Sequence, residues 1–394
     1  MKKAIFLISF FSFSGYYVGL AMLFSLGLTS YSRFYSVPLR IILAVVMIYI
    51  IRKNIDNLLS NKFFKYYPIF IIFWAFYFFK VVYTESIVFD GSLGRAWYEY
   101  IFYSITFVII PATAFLSIPF EKFKDTILNG FIASGFVLGL ACLYLYGNLL
   151  GSGIGRLNMI TYQTGETVLN PLSISYSGVL TLTLCVYKLF FTKMNSKYEK
   201  SFLYITILLS FVMFLLGSSR GSVIAIILSI PFFIIFSETK NKFKFIAVIT
   251  ISIPLIILAI KVSGSSIFER IGNTSEDKGG GREVLWSNAL NHFLEHPFFG
   301  GRIEIGGIYP HNFIIETLMA TGLLGISLIM PIIIKGLYRG YKISSIDNTN
   351  FFILLILING LTQFSFSGAI WTSNLIFTPI AFILAYRPQV NNKI

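Results

Sequence analysis

Long apolar runs alternate with short polar segments along this chain. About twelve of the runs, most of them roughly 16 to 24 residues long, match the length that a helix needs to cross the ~30 Å hydrocarbon core of a membrane. In lipid a spanning segment must satisfy its own backbone hydrogen bonds, and a helix does so. The pattern therefore predicts an all-α polytopic membrane protein with about 12 transmembrane helices. The expected spans are roughly 4–28, 37–51, 66–83, 97–118, 127–147, 171–191, 201–217, 221–236, 243–262, 313–334, 351–364 and 367–386.

The start of the chain and its cysteines agree with a membrane protein. Met1 and two lysines precede apolar residues as in a signal peptide, but no small-x-small cleavage site follows, so we interpret this run as the first span. Cys142 and Cys185 both fall inside expected spans, which supports neither a disulfide framework nor a thiolate metal site. No repeat or soluble domain is apparent, and residues 1–394 are expected to form a single transmembrane domain.

The distribution of charge predicts an orientation. Hydrophobic residues make up 56% of the chain and charged residues 12%, with a mean hydropathy of +0.77 and a formal net charge of +14. All of that net charge falls in alternate loops and at the termini, where 20 cations stand against six acids. By the positive-inside rule this side is cytoplasmic, so the basic balance needs no nucleic acid to explain it.

The type of cation also changes across the membrane. On the basic side 17 of the 20 cations are lysine, whereas eight of the 11 on the other side are arginine. The planar guanidinium suits bidentate contact with phosphate or diphosphate, so an arginine-rich outer face favours specific anion recognition. Compositional drift with snorkelling toward lipid headgroups is the simpler alternative. The eight arginines are Arg33, Arg40, Arg95, Arg156, Arg220, Arg270, Arg282 and Arg302.

The longest polar interruption, residues 263–312, predicts a large late periplasmic loop with short helices that forms part of an active site. Apolar residues recur at helical spacing over Val284–Leu294, which is expected to form an interfacial helix. Gly280, Gly281 and Arg282 precede it, so backbone N–H groups and a guanidinium would meet at a helix N-terminus. That is the outline of an anion site, although glycine runs are also common in plain loops.

All three histidines of the chain lie in this interruption. His292 and His296 have the i, i+4 spacing of metal ligands, but no third ligand is evident and the sequence is not HExxH. We therefore expect neither a metal nor another cofactor, and we interpret His296 before Pro297 as a helix stop. His311 opens the tenth expected span beside the anion-binding groups, where an imidazole can pass a proton near neutral pH. A structural histidine that caps this helix is the alternative.

Two further arginines lie at informative positions. Arg220 is in the short link Gly217–Gly221 between two spans, and an arginine near membrane depth is costly unless it is paired or lines an aqueous cavity. Snorkelling to the surface is the simpler account. Arg156 lies among the glycines, amides and hydroxyls of loop 147–170, which is equally compatible with a glycan and phosphate surface and with a flexible connector.

Together these residues resemble the superfamily of O-antigen polymerases and O-antigen ligases, membrane glycosyltransferases that use undecaprenyl-diphosphate-linked sugars. The resemblance rests on three motifs within residues 217–325. They are His311-Asn312 followed after nine residues by Gly322 and after two more by Gly325, Arg282 and Trp286 followed by His296-Pro297 and Gly300, and Ser219-Arg220-Gly221 before a helix. Ile326 follows the last motif glycine, where ligases tend to have Gly, Thr or Tyr, and it favours a polymerase.

The resemblance implies roles for single residues. His311 would be the base that deprotonates an acceptor sugar hydroxyl, and Arg220 and Arg282 would hold the donor's diphosphate. Because a diphosphate is a good leaving group, guanidinium groups can take the place of a divalent metal. Attack at the anomeric carbon would invert the donor's configuration. Further expected substrate contacts are Arg156, Arg270, Arg302, Asn312, Gly280 and Gly281.

The leading hypothesis is a polymerase that moves a growing undecaprenyl-diphosphate-linked glycan onto the next lipid-linked repeat unit, at the periplasmic face of the bacterial inner membrane. Its partners would be the lipid-linked donor and acceptor and membrane lipids, with a chain-length regulator protein as a further candidate and no nucleic acid. The alternative is an O-antigen ligase, whose acceptor is lipid A-core. A flippase of lipid-linked sugars would predict polar residues near the midplane of several spans, and the spans contain very few.

Overall fold

The chain folds into helices joined mostly by short links. The computed structural model describes residues 1–62, 64–88, 93–153, 155–164, 168–194, 196–273, 276 and 281–387, and in this part of the chain the isolated β-bridges do not extend into strands. The helices before residue 165 are α1 (Lys2–Phe11), α2 (Ser14–Ser25), α3 (Ser32–Lys53), α4 (Ile55–Leu59), α5 (Tyr67–Tyr83), α6 (Trp97–Tyr103), α7 (Ile110–Ser117), α8 (Phe120–Tyr146) and α9 (Asn158–Thr164). Those after it are α10 (Pro171–Phe191), α11 (Lys197–Gly217), α12 (Arg220–Phe236), α13 (Thr239–Ser263), α14 (Ile267–Gly272), α15 (Arg282–Glu295), α16 (Phe313–Ile346), α17 (Phe352–Phe366) and α18 (Asn374–Ala385). Two π-helical segments, Thr84–Val88 and Ser104–Ile109, follow α5 and join α6 to α7.

Seven helical segments of the described chain are long and apolar enough to cross a membrane, and the pair α1 and α2, bent by 66° at its break, raises the number to eight. The seven are Thr29–Lys53, Phe64–Val88, Trp97–Ser117, Phe120–Leu149, Pro171–Phe191, Lys197–Gly217 and Phe313–Ile346. Four further apolar segments, Arg220–Phe236, Ile253–Ser263, Phe352–Phe366 and Asn374–Ala385, have only 10–17 residues. The prediction of an all-α polytopic membrane protein is confirmed, but the number of twelve spans is not, because these four are short.

The two C-terminal helices, α17 and α18, lie inside the bundle. Nearly every residue of both is buried, including the polar Asn359 and Thr378. A helix that is apolar on all sides has no polar face to present to water, so either lipid or other helices surround it, and the burial of α17 and α18 shows that here other helices do. Accordingly α18 packs against α7, α16 and α17, and α17 packs against α10 and α12. The segment between them, residues 367–373, is therefore held among the surrounding helices.

Helix α16 is kinked at Gly322, where φ is 62° and ψ is −159°. The segment 297–301 docks at this kink, and its carbonyls accept the backbone N–H groups of Leu323 and Leu324 at 2.8 and 3.0 Å. A Cβ on Gly322 would lie 2.5 Å from the nitrogen of Gly300, and this region of φ and ψ is essentially restricted to glycine. Gly322 is therefore required by the docking of this segment onto α16, whereas a Cβ on Gly325 would meet the Thr321 side chain of the same helix.

Candidate active site

His311 precedes α16 in a left-handed backbone conformation, with φ at 57°, that residues other than glycine seldom adopt. The next residue, Asn312, caps the helix, because its Oδ1 accepts the N–H groups of Ile314 and Ile315 at 3.0 and 3.1 Å. Its Nδ2 donates to the carbonyl oxygen of Ser365 in α17 at 3.0 Å. The Asn312 side chain thus fixes the start of α16 and joins it to α17. A substrate contact of Asn312 stays a prediction.

Aromatic side chains and one peptide carbonyl position His311. The ring centroid of Tyr309 lies 4.2 Å from that of the imidazole, and Trp371 packs edge-on against Tyr309 at 4.9 Å. On the other side, Trp286 of α15 donates its indole N–H to the Pro310 carbonyl at 2.9 Å. A sparsely populated backbone conformation persists only where its surroundings fix it, and these contacts do so.

The environment of His311 favours the neutral imidazole. Burial lowers the pKa of His311 below its ordinary value, and the positive charge of Arg282 lowers it further. A neutral imidazole near pH 7 offers a ring nitrogen that can accept a proton, as a general base requires. The helix cap is provided by Asn312, so the capping role considered for the histidine is filled by its neighbour.

Arg282 is the first residue of α15, directly after Gly281, whose φ is 80°. The helix predicted over Val284–Leu294 is confirmed and begins two residues earlier, whereas Gly280 lies outside the described residues. The unpaired N–H groups of a first helical turn carry partial positive charge, so this N-terminus and the Arg282 guanidinium together attract anions. The charge of Arg282 acts both on His311 and on the hydroxyl of Tyr176 in α10.

Arg220 is likewise the first residue of its helix, α12. The following residue, Gly221, is tightly enclosed, because a Cβ there would lie 1.9 Å from the Tyr176 hydroxyl and 3.4 Å from Phe366 at the end of α17. The start of α12 therefore lies against α10 and the C-terminal end of α17.

The N-termini of α12, α15 and α16 meet around the end of α17. Tyr176 is close to the start of α12 and also lies within reach of the Arg282 charge. Asn312, at the start of α16, bonds to Ser365 near the end of α17. The structure thus gathers Arg220, Arg282, three helix N-termini and the imidazole of His311, from residues that are up to 91 positions apart in the sequence.

Arg156 and Arg270 both contact the backbone of the link between α11 and α12. Nε of Arg156 donates to the Gly217 carbonyl at 3.0 Å, and Nη1 of Arg270 donates to the Ser218 carbonyl. Ser218 is in the left-handed region, with φ at 42°, and its Oγ lies 2.7 Å from Oγ of Ser265. The two arginines therefore brace the link that precedes Arg220, and their expected substrate contacts stay predictions.

The His292 side chain links α15 to the loop that follows it through a hydrogen bond. The structure brings Glu295 beside His292 and His296, with one potential ligand atom of each within 4.8 Å of the others, a group that the sequence spacing did not reveal. However, Nε2 of His292 accepts the backbone N–H of Arg302 at 3.0 Å, so a neutral ring carries its proton on Nδ1, which lies 3.6 Å from Glu295. A metal ion on Nδ1 would move the ring proton to Nε2, and Nε2 could then no longer accept the N–H of Arg302. The half-buried Arg302 is thereby attached to α15 through its backbone.

Three buried charged residues near the site escaped the sequence analysis, namely Lys80, Glu304 and Glu316. Lys80 donates to the Gly300 carbonyl at 3.0 Å, Glu304 accepts the N–H of Gly94 at 2.8 Å, and Glu316 accepts the N–H of Ile370 at 3.1 Å. Burial raises the pKa of Glu304. Each bond ties a loop to a helix or to another loop. The signal was available for Lys80 and Glu316, since an ionisable residue inside an apolar run is costly.

Arginines at helix N-termini beside a half-buried imidazole can bind an anionic group and accept a proton. Residues 205–330 match the family model described as O-antigen ligase, which confirms the resemblance to the superfamily of O-antigen polymerases and ligases. The matched range contains Arg220, Arg282 and His311 but not Arg156. The family indicates a membrane glycosyltransferase-like enzyme of O-antigen or polysaccharide processing. A comparison with curated proteins found no significant match.

Proposed function

We propose that this protein is a surface-polysaccharide polymerase that transfers a growing undecaprenyl-diphosphate-linked glycan onto the next lipid-linked repeat unit. The observation that supports it most is the meeting of three helix N-termini around the end of α17, with Arg220, Arg282 and His311 at those termini. The donor diphosphate would lie at the N-termini of α12 and α15, and the acceptor hydroxyl at the imidazole.

In this mechanism, the neutral His311 accepts the proton of the acceptor hydroxyl while that oxygen forms a bond to the anomeric carbon of the donor. The bond from the anomeric carbon to the diphosphate oxygen breaks on the opposite side, so the configuration inverts and undecaprenyl diphosphate leaves with the electron pair. Arg220, Arg282 and the N–H groups of the helix N-termini stabilise the charge that develops on the leaving group. A positioned imidazole typically contributes about 10²–10⁴-fold as a base. The imidazolium then releases its proton to solvent.

The proposal includes an orientation in the bacterial inner membrane. Lysines are concentrated in alternate loops and at the termini, which supports cytoplasmic termini by the positive-inside rule. The site would then face the periplasm, where lipid-linked repeat units are joined.

A ligase is the second candidate, and the description of the matching family as O-antigen ligase favours it. Its chemistry would use the same base and diphosphate contacts, because only the acceptor differs. Ile326 after the motif glycines remains the feature that favours the polymerase.

The test is a transfer assay with defined acceptors. Purified protein receives undecaprenyl-diphosphate-linked repeat units alone, in EDTA, and the products are resolved by gel. We expect a ladder of longer lipid-linked glycans. Transfer only after addition of lipid A-core would establish the ligase, and transfer only after Mg²⁺ is restored would contradict the metal-independent mechanism.

Histidine variants provide the control for the catalytic assignment. His311→Ala should abolish the ladder, because the acceptor loses its base. His296→Ala removes an exposed histidine of the same loop and should leave the ladder intact. Equal activity of both variants would show that the imidazole of His311 is not the base.

A further inference from the structure

Arg40 lies inside a membrane span and has no carboxylate partner in the described chain. It is in α3, eight residues after Ser32, which is about 12 Å along the helix. Among the described residues no carboxylate lies within ion-pair distance of it. An arginine at such a depth is costly, and those that persist are usually functional.

Three aromatic rings surround the Arg40 guanidinium. Its Cζ lies 4.4 Å from the ring centroids of Tyr103 and Phe107 and 5.5 Å from that of Tyr16. Nη2 donates to the Tyr16 hydroxyl at 3.2 Å, whereas the buried Nε and Nη1 have no acceptor among the described residues. Aromatic faces attract the charge but leave these N–H donors unsatisfied. The residue is therefore held in place with donor capacity that suits an anion.

Three irregularities of the backbone coincide at Arg40. Tyr16 belongs to α2, after the 66° bend that breaks the first span, and Phe107 belongs to the π-helical segment Ser104–Ile109. Pro38 lies inside the continuous helix α3, two residues before Arg40, and removes one backbone hydrogen-bond donor there. Broken spans and π-helical turns often occur at functional sites, and irregular backbone at membrane depth is found where protein or a cavity encloses it. Ordinary helix packing does not require such a coincidence.

Two outer arginines extend this group toward the membrane surface. Cζ of Arg95 lies 5.8 Å from the Tyr103 ring that Arg40 also contacts. Arg33 and Arg95 share the carboxylate of Glu99 at 3.6 and 3.8 Å. Arg95 also interacts with the charge of Glu304, so three guanidinium groups stand beside two carboxylates, and the remaining positive charge attracts anions from the surface toward Arg40.

The Arg40 group lies on the same side of the bundle as His311. Tyr100, one turn before Tyr103 on α6, packs against Trp371 at 4.8 Å, and Trp371 packs against Tyr309 beside the imidazole. The elements around Arg40 are α2, α3 and α6, whereas the two donor-binding arginines begin α12 and α15. The structure therefore carries two separate groups of arginines near one base.

We infer that Arg40 and its aromatic surround bind the phosphate group of a second membrane lipid, the polyprenyl-diphosphate-linked acceptor. The anion site is inferred from the contacts of Arg40 and the charges beside it, and only the identity of its occupant rests on the proposed function. A polymerase must hold two lipid diphosphates at once, and like charges are best held by separate cationic groups.

The test counts bound lipids by native mass spectrometry of the purified protein, with undecaprenyl diphosphate as the probe and uncharged undecaprenol as the blank. The wild type should bind two equivalents. Arg40→Gln and Arg282→Gln should each lose one equivalent, with an affinity at the affected site lowered about tenfold or more. Arg52→Gln, at the opposite end of α3, is the matched control and should keep both.

The other outcomes separate the two proposals. Two equivalents bound to Arg40→Gln with unchanged affinity would overturn the site. Displacement of the Arg40-dependent equivalent by phosphatidylglycerol would assign it to ordinary phospholipid and overturn the acceptor. Arg40→Lys, which keeps the charge but not the planar fork, should bind the second equivalent more weakly and serves if Arg40→Gln does not fold. If the wild-type protein binds two equivalents but forms no polymer, the result would count against the proposed function and leave the anion site intact.

Discussion

Replacing Trp286 by phenylalanine removes one hydrogen bond to the loop that carries His311. The indole N–H donates to the carbonyl of Pro310 at 2.9 Å, and Pro310 is buried, so water does not readily replace the donor. A buried acceptor without a donor costs about 1–3 kcal/mol. If that cost appears in the transition state as a displaced imidazole, kcat/KM falls by roughly 5- to 150-fold, since about 1.4 kcal/mol is a factor of ten. A displacement of about 1 Å at a reacting group has effects of this size.

The assay measures initial rates of glycan extension on lipid-linked repeat units by purified protein. Trp97→Phe is the matched control, because Trp97 is 41% exposed, and its variant should stay within about twofold of the wild type by the general rule for exposed positions. If Trp286→Phe folds normally and retains kcat/KM within the same limit, the bond to Pro310 does not position the base and the reasoning is refuted.

Three further results are expected. Gly322→Ala should lower the apparent unfolding temperature in detergent, because backbone strain and overlap with the docked segment cost about 1–3 kcal/mol. Gly272→Ala is the control, since its added Cβ meets open space and should not lower that temperature. Equal stability of the two variants would contradict the docking argument. The wild-type kcat/KM should rise with pH as His311 loses its proton and then level off. Arg282→Gln removes a positive charge that lowers the His311 pKa, so the acid limb of its pH–rate profile should move to higher pH. An unmoved limb would show that the charge of Arg282 does not act on the group that titrates. Asn312→Ala should lose about 0.5–2 kcal/mol of stability with the helix cap, whereas Asn312→Ser keeps a capping oxygen. Both variants lose the Nδ2 bond to Ser365, so equal losses in the same unfolding assay would exclude the cap.

Sequence periodicity predicted the helices and the interfacial helix α15 because both depend on residues a few positions apart. The number of twelve spans stays a prediction, since α12, the apolar part Ile253–Ser263 of α13, α17 and α18 are shorter than a full span. Both motif glycines were found by spacing, but the reason for Gly322, the docking of segment 297–301 at the kink of α16, depends on a tertiary contact. Glu304 was missed for the same reason, because its partner Gly94 is 210 residues away.

Composition alone does not distinguish an arginine that binds substrate from an arginine that stabilises the fold. The sequence predicts a diphosphate contact for Arg220 and further substrate contacts for Arg156 and Arg270, whereas in the structure the last two donate to carbonyls of the link before Arg220. A bracing arginine stabilises the fold in the presence or absence of substrate, while an arginine that binds the donor acts through KM or kcat. Arg156→Gln and Arg270→Gln should therefore lower the apparent unfolding temperature in the absence of substrate. If they instead raise KM for the lipid-linked donor at unchanged stability, the bracing interpretation is wrong and these side chains bind the substrate, as the sequence predicts.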